Sequence, residues 1–285
     1  MTFVLSLGLD TLNYILTLLL VTLGLVVIYG LMNVINMAHG ELFLAGAYTL
    51  VAVHLAGGPF WLGLLLAPVV VALLGFVIEE LVIRHVYGRS IDTILATWGI
   101  SLALKQGIII LFGPQSISVE NPIPGSLSFW GMEYPSYRIV IMAISAVLAL
   151  GTYVILYLTP IGLQIRGVIA NRAMAGSLGI NTRLMDRATF ASGAALAGIA
   201  GAVMAPIMSV DPQMGVGFLI PAFLGVLVGG LSSLMGAIVG SGVIGTTSTV
   251  SSAFMSQATS QIFVFALAIL IIRLFPAGLS GWRQR

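Results

Sequence analysis

Polar side chains able to do chemistry are few in this sequence, and the densest group lies between residues 33 and 41. The segment NVINMAHGELFLAGAY places Asn33, Asn36, His39 and Glu41 among apolar neighbours. An imidazole near a carboxylate is a combination found in proton relays and in metal sites. Positions two residues apart on a helix point to different faces, however, and a metal site needs three or more ligands. A metal site is therefore the least favoured interpretation.

Two other interpretations of this polar group stay open. In the first, a helix is interrupted inside the membrane, and Asn36, His39 and Glu41 hydrogen-bond the backbone groups that the break exposes, as transporter sites often require. In the second, the segment is a solvated loop between two helices. We prefer the interrupted helix.

No residue pattern in the chain supports covalent chemistry. A P-loop needs a lysine after its glycine-rich turn, and the only lysine, Lys105, lies within an apolar run. The chain has no cysteine and neither of the hydrolase patterns HExxH and GxSxG. We therefore predict that the chain is not an enzyme and holds no cofactor or metal of its own.

The other intramembrane charges have structural interpretations. Lys105 can pair with a carboxylate across a helix interface, although extending its charged head to the outer surface is the commoner arrangement. Glu80 is placed to pair with Arg84, because residues four apart are neighbours on a helix surface.

The composition predicts a membrane protein. Of 285 residues, 59% are hydrophobic and 7% are charged, against about 25% charged in soluble domains. The net charge of +2 comes from 11 basic and 9 acidic residues, which is too sparse for nucleic-acid binding. No basic segment precedes the first apolar run, so we expect that run to be a retained helix.

Apolar runs of about 20 residues predict the membrane spans. Spans 42–56 and 218–230 are short, so each is a candidate half-helix or re-entrant segment. The sequence thus predicts an all-α polytopic membrane protein, a single domain over residues 1–285, with about 8–10 transmembrane helices including short or broken ones. The candidate spans are 12–35, 42–56, 61–79, 93–112, 139–158, 188–208, 218–230, 235–252 and 259–275.

Arginine placement predicts the orientation, because cytoplasmic loops near the membrane carry an excess of basic residues. The long loop 113–137 contains Glu120 and Glu133 and no basic residue. We therefore expect an inner-membrane protein with its N-terminus and this loop outside and its C-terminus in the cytoplasm. The basic clusters are Arg84 and Arg89; Arg166, Arg172, Arg183 and Arg187; and Arg273, Arg283 and Arg285.

Small residues predict close helix packing. Gly193, Ala197 and Gly201 recur every fourth residue, which places them on one helix face and allows a neighbouring backbone to approach.

The loop 162–187 contains the pattern of a short helix at residues 171–180. Asn171 can cap it by accepting a hydrogen bond from a backbone N–H near Met174, and Gly179 supplies a left-handed stop. Met174 and Leu178 then lie on one face among small residues. Such a helix either anchors to the membrane surface or, as its brevity favours, docks in a groove of another protein.

Three segments carry a family resemblance. NVINMAHGELFLAGAY, IRGVIANRAMAGSLGINTRLMDRATF and AFLGVLVGGLSSLMGAIVGS resemble, in this order, the permeases of the branched-chain amino acid and urea class of ABC importers. The resemblance implies a cytoplasmic coupling helix at 171–180, a second homologous permease forming a heterodimer, two ATPases that hold ATP and Mg²⁺, and an external solute-binding protein. LATWGISLALKQ, SVENP and ANRAMA favour urea or a short amide as solute, with branched-chain amino acids next.

The resemblance also assigns roles to residues. Independently of it, polar groups at a helix break and small residues that allow close approach lead us to expect that residues 33–41 and the glycine-rich segment 223–240 line a central route at the contact with the second permease. The competing function, a facilitative channel or secondary transporter, would instead depend on Lys105, Glu41 or His39. The expected path residues are Asn33, Asn36, His39, Glu41, Gly229 and Gly230, and the expected ATPase-coupling residues are Arg172, Ala173, Met174, Ala175, Gly176, Leu178, Gly179 and Arg183.

Overall fold

Helices make up most of the chain in the computed structural model, which describes residues 2–129, 132–231 and 233–280. Two short strands, β1 (Ser126–Phe129) and β2 (Met132–Pro135), pair antiparallel as a hairpin within the loop 113–137. The helices are α1 (Thr2–Met32), α2 (His39–Leu55), α3 (Phe60–Leu81), α4 (Ser90–Phe112), α5 (Ser136–Leu158), α6 (Pro160–Ala170), α7 (Arg172–Ser177), α8 (Thr182–Met204), α9 (Met214–Gly229), α10 (Leu234–Phe254) and α11 (Gln257–Leu274), with 3₁₀ turns at Ile83–His85 and Ala205–Ile207.

The predicted polytopic architecture is confirmed. Within the described ranges, seven helices are long and apolar enough to cross a membrane, and α2 and α9 are shorter, with 17 and 16 residues. Each predicted span corresponds to one of these nine helices. The prediction missed the hairpin and α6, and it began the first helix ten residues late, because α1 extends back past Asp10 to Thr2.

The helix ends lie in two groups. At the hairpin end, which carries β1 and β2, the Tyr134 hydroxyl donates to Asp10 Oδ1 over 3.3 Å and Arg138 pairs with the same carboxylate. At the arginine end, where α3 ends and α8 begins, Arg183 donates to Glu80 over 2.8 Å. Arg138, the one arginine that the described residues place at the hairpin end, is thus neutralised locally. Of the predicted C-terminal basic cluster, Arg273 lies in the last turn of α11, whereas Arg283 and Arg285 lie outside the described residues.

Two inverted units build the bundle. In the first, α1 runs from the hairpin end to the arginine end, the chain turns back, and the short α2 starts partway along the bundle. The second unit repeats this plan in the opposite direction with α8 and α9, so that α3 corresponds to α10 and α4 to α11. The contacts follow the same plan, because α2 and α3 pack on α8 while α9 and α10 pack on α1. Inverted repeats with broken helices are a common transporter architecture.

The buried helix α8 holds the units together through its small residues. Its Gly193 faces Gly24 and Ile28 of α1, and a Cβ added at Gly201 would collide with the carbonyl oxygen of Phe43 on α2. The predicted face of small residues, four positions apart on α8, is buried: Gly193, Ala197 and Gly201. Because lipid gives no hydrophobic drive for helix association, this close backbone approach supplies much of the packing.

Candidate functional site

The polar break lies between α1 and α2. Asn33 ends α1 with a φ of 52°, a left-handed conformation that asparagine tolerates better than most residues. Asn36 Oδ1 accepts a hydrogen bond from the backbone N–H of Ala38 over 3.0 Å. Asn36 and His39 have no exposed surface. The solvated-loop interpretation is therefore wrong for this pair, although Asn33 itself is exposed.

Side chains satisfy the backbone groups around the break. His39 Nε2 lies 3.0 Å from the carbonyl oxygen of Val21 in the middle of α1, and Thr97 Oγ1 accepts from the Met37 N–H over 3.1 Å. Because Nε2 faces an acceptor, it carries the proton in this bond. These contacts are what an interrupted helix needs inside a membrane. His39 therefore contacts a carbonyl within α1 rather than a group that the break exposes, and Thr97 is a partner that the sequence analysis did not assign.

Glu41 has a different role from the one predicted, because its carboxylate bonds to a side chain rather than to the broken backbone. Ser101 donates to Glu41 Oε1 over 3.1 Å, and Glu41 is 2% exposed. Its other oxygen, Oε2, faces Gly215 in the first turn of α9. Glu41 is also in the first turn of its own helix. Two positive helix ends thus converge on one buried carboxylate.

Lys105 lies one turn along α4 from Ser101 and takes neither predicted partner. Its Nζ donates to Gln213 Oε1 over 2.7 Å, so an amide takes the place of the expected carboxylate or surface water. Thr97, Ser101 and Lys105 recur every fourth residue and form one polar stripe on an apolar helix. This spacing is visible in the sequence and is the signal that the motif analysis missed.

Gly229 and Gly230 lie apart from the break. Gly229 is 14 residues from Gly215, about 21 Å along α9. A Cβ at Gly229 would collide with Gly236 at the start of α10, and Gly230 has a φ of +117°, which favours glycine. The Ser280 hydroxyl donates to the Gly229 carbonyl over 2.6 Å. The structure therefore places the two glycines in a tight turn at the arginine end, and their predicted place on a path stays a prediction.

The short helix predicted at 171–180 is present as α7. Asn171 Oδ1 accepts from the Met174 N–H over 3.0 Å, and Gly179 follows the helix with a φ of +84°. Met174 and Leu178 are 58% and 75% exposed, whereas Ala175 is buried against the bundle. The observed helix is shorter than predicted, and Met174 within it and Leu178 directly after it present two large apolar side chains at the arginine end of the molecule.

Ion pairs attach α7 to the bundle. Arg172 forms two hydrogen bonds with Asp186 on α8, one of them 3.1 Å long, and Asp186 is 1% exposed. The sequence analysis did not identify Asp186, because its pairing depends on the fold. Arg172 is therefore committed to an internal contact.

A second set of ion pairs connects α3 with α8. Glu80 pairs with Arg84, as predicted, and also with Arg183 and Arg187. The Tyr87 hydroxyl donates to Glu79 over 2.6 Å. Burial and this hydrogen bond raise the pKa of Tyr87, so the hydroxyl keeps its proton and remains a donor. The arginine end of the bundle is thus a connected electrostatic network.

Comparison with known proteins decides the family. The family model described as the permease component of the branched-chain amino acid transport system matches residues 8–272. The chain belongs to this permease family. Its members are membrane subunits of ABC transporters, so the predicted class is confirmed.

Individual relatives agree over nearly the full length. The high-affinity branched-chain amino acid transport system permease protein LivH of Salmonella typhimurium is 27% identical over 278 residues, which cover 92% of this chain and 90% of the relative. The probable LivH of Methanocaldococcus jannaschii is 29% identical over 290 residues, covering 94% and 90%. LivM of Escherichia coli is 28% identical over 207 residues, covering 64% of this chain and 48% of LivM.

A solved structure shares the fold. A chain in PsaBC from Streptococcus pneumoniae in complex with Fab aligns with a TM-score of 0.55 at 17% identity, covering 96% of this chain and 93% of that chain. Together with the seven apolar helices, these relatives support a multi-pass inner-membrane protein. The predicted leaning towards urea has no support among the relatives, which are named for branched-chain amino acid transport.

Proposed function

We propose that the chain is the membrane subunit of an ATP-driven importer that moves a branched-chain aliphatic amino acid into the cytoplasm. It works with a second, homologous permease, two ATPase subunits that bind ATP and Mg²⁺, and an external solute-binding protein. The names of LivH and LivM relatives support an amino acid over urea as the solute. In this assignment the arginine end faces the cytoplasm and the hairpin end faces outward.

The observation that carries this proposal is α7. A six-residue helix with one exposed apolar side chain within it and another at its C-cap is too short to anchor firmly in lipid, whereas it suits a groove in a partner protein. Its attachment to α8 through Arg172 and Asp186 gives a mechanical link between that partner and the membrane bundle. Movement of α7 on the ATPase therefore reaches α8, which contacts both inverted units.

The break between α1 and α2 supports a path near the centre of the bundle. Asn33, Asn36, His39 and Glu41 allow an irregular backbone inside the membrane, where two half-helices begin. We assign Gly229 and Gly230 to the cytoplasmic side of this path, where their tight turn lets α9 and α10 approach closely.

Uptake of labelled solutes by proteoliposomes that hold the full complex tests the proposal. We expect ATP-dependent uptake of leucine, isoleucine or valine, and no ATP-dependent uptake of urea or acetamide. ATP-dependent uptake of urea would support urea as the solute in place of an amino acid. Uptake without ATP would support a facilitative channel or secondary transporter and contradict the proposal.

The docking role of α7 has its own test. Replacing Met174 and Leu178 together with alanine removes apolar contact worth a few kcal/mol at about 25 cal/mol per Å². We expect the double variant to lose ATPase subunits in a pull-down, or to hydrolyse ATP without moving solute. Normal binding together with normal coupling would refute the docking role.

A further inference from the structure

Among the described residues, the stripe on α4 contains a cation that forms no ion pair within 4 Å, although the buried Glu41 lies within its electrostatic reach. Lys105 Nζ donates to the neutral amide oxygen of Gln213, and within the described ranges the ion pairs do not include Lys105. An ammonium group forms its strongest hydrogen bonds with a carboxylate or phosphate. The amide therefore leaves the charge of Lys105 available to an anionic group.

The depth of Lys105 along α4 indicates that its side chain does not face the lipid acyl chains. It lies seven residues before Phe112, the last residue of α4, which is about 10 Å along the helix. Ionisable residues at such depth face the interior of a bundle or a water-filled cavity. Lys105 is half-buried and Gln213 is exposed. The face between α4 and α9 is therefore turned towards water or a partner subunit rather than towards acyl chains.

Glu41 places one negative charge behind this face. Glu41 is buried and bonds Ser101, which lies four residues before Lys105 on α4. Side chains four apart on a helix have Cβ atoms about 6 Å apart. A solute that reaches this face meets the lysine head first, because the carboxylate is covered and the ammonium is partly open.

We propose that Lys105 binds the carboxylate of the transported solute, in a subsite on the face between α4 and α9. The subsite takes solutes that carry a carboxylate, the α-amino acids among them, because an ammonium bonds a carboxylate more strongly than the neutral carbonyl of urea or acetamide. This inference rests on the proposed function and deepens it by naming the residue that recognises the solute class.

Three variants of the complete complex separate binding from structure. Lys105→Gln removes the charge but retains a group that can hydrogen-bond Gln213. Lys105→Arg retains the charge. Gln213→Ala removes the hydrogen bond and leaves the charge, so it is the matched control for a simple clamp between α4 and α9. The measurements are leucine uptake into proteoliposomes, ATP hydrolysis stimulated by the loaded binding protein, and the yield of assembled complex.

The expected result is a loss specific to the charge. Leucine uptake falls at least tenfold in Lys105→Gln, and Lys105→Arg retains at least a third of the uptake. Gln213→Ala remains within twofold of the original complex, and ATP hydrolysis and assembly change less than twofold in all three variants.

Two results overturn the inference. If Lys105 and Gln213 only hold α4 and α9 together, Gln213→Ala loses as much leucine uptake as Lys105→Gln. Full uptake of leucine by Lys105→Gln would also rule out a carboxylate subsite. Both results leave the proposed function standing if the original complex moves leucine with ATP. An original complex that moves urea or acetamide in place of leucine overturns the proposed solute and this inference together.

Discussion

Replacing Arg172 with alanine tests whether the ion pair with Asp186 holds α7 against the bundle. The Arg172 side chain is 48% exposed and that of Asp186 is 2% exposed, so the variant leaves a buried carboxylate without its cation. Breaking a buried pair costs about 3–5 kcal/mol. Because Arg172 is half in water, we expect a smaller loss of about 2–3 kcal/mol, which matches hydrogen bonds to charged groups.

Asp186→Asn is expected to be milder. The guanidinium freed by this change can turn to water, and the amide oxygen still accepts a hydrogen bond, so we expect a loss of about 1 kcal/mol. The two substitutions therefore have unequal effects, and their order follows from which partner is buried. A variant carrying both changes recovers part of the loss, because no uncompensated charge stays buried.

Thiol labelling measures the opening of α7. The chain has no cysteine, so Ala175→Cys gives a single thiol on the buried face of α7. A loss of about 2–3 kcal/mol increases the open population, and hence the labelling rate, about 30–150-fold, because 1.4 kcal/mol is tenfold. Ser177→Cys is exposed already, and its labelling rate should not change.

Arg166→Ala is the matched control. Arg166 also lies at the arginine end, where it contacts the ring of Tyr157, but in the described part of the chain it forms no ion pair with a carboxylate. Its loss should leave the labelling of Ala175→Cys within twofold of the parent. Equal labelling in Arg172→Ala and its parent, or a larger effect of Asp186→Asn, would refute the reasoning.

Three further predictions follow from the fold. Cysteines at Ser126 and Ser177 should be labelled from opposite sides of the membrane by an impermeant reagent, and labelling from one side contradicts the orientation. Gly201→Ala should reduce the yield of folded protein because its Cβ meets the α2 backbone, whereas Gly217→Ala has open space and should not. Thr97→Val leaves the buried Met37 N–H without its acceptor and should cost about 1–3 kcal/mol in thermal unfolding; unchanged stability would show that another acceptor takes its place.

Hydropathy predicted the helices well, because each span must satisfy its own backbone in lipid whatever lies beside it. The residues at which the helices begin and end were harder to predict. Asp10 indicates a loop when it is considered alone, but Arg138 neutralises it 128 residues away, and α1 continues through it. The β hairpin was missed because it is short and lies among turn residues in loop 113–137.

The site was predictable where its chemistry is local. The cap of Asn171, the stop at Gly179 and the break around Asn36 each depend on a few neighbouring residues, and sequence spacing identified them. The contacts of Lys105 with Gln213 and of Arg172 with Asp186 join separate helices. Such contacts depend on how helices pack, which one sequence without the fold does not specify.

The two inverted units impose an order on biosynthesis. The α2 helix starts inside the membrane and rests chiefly on α8, which the ribosome makes more than a hundred residues later. Until α8 arrives, α2 lacks its main packing surface, although the polar break before it already has its partners on α1 and α4. The nascent chain therefore passes through a stage that membrane proteases can recognise, and truncation before α8 should leave a short-lived fragment.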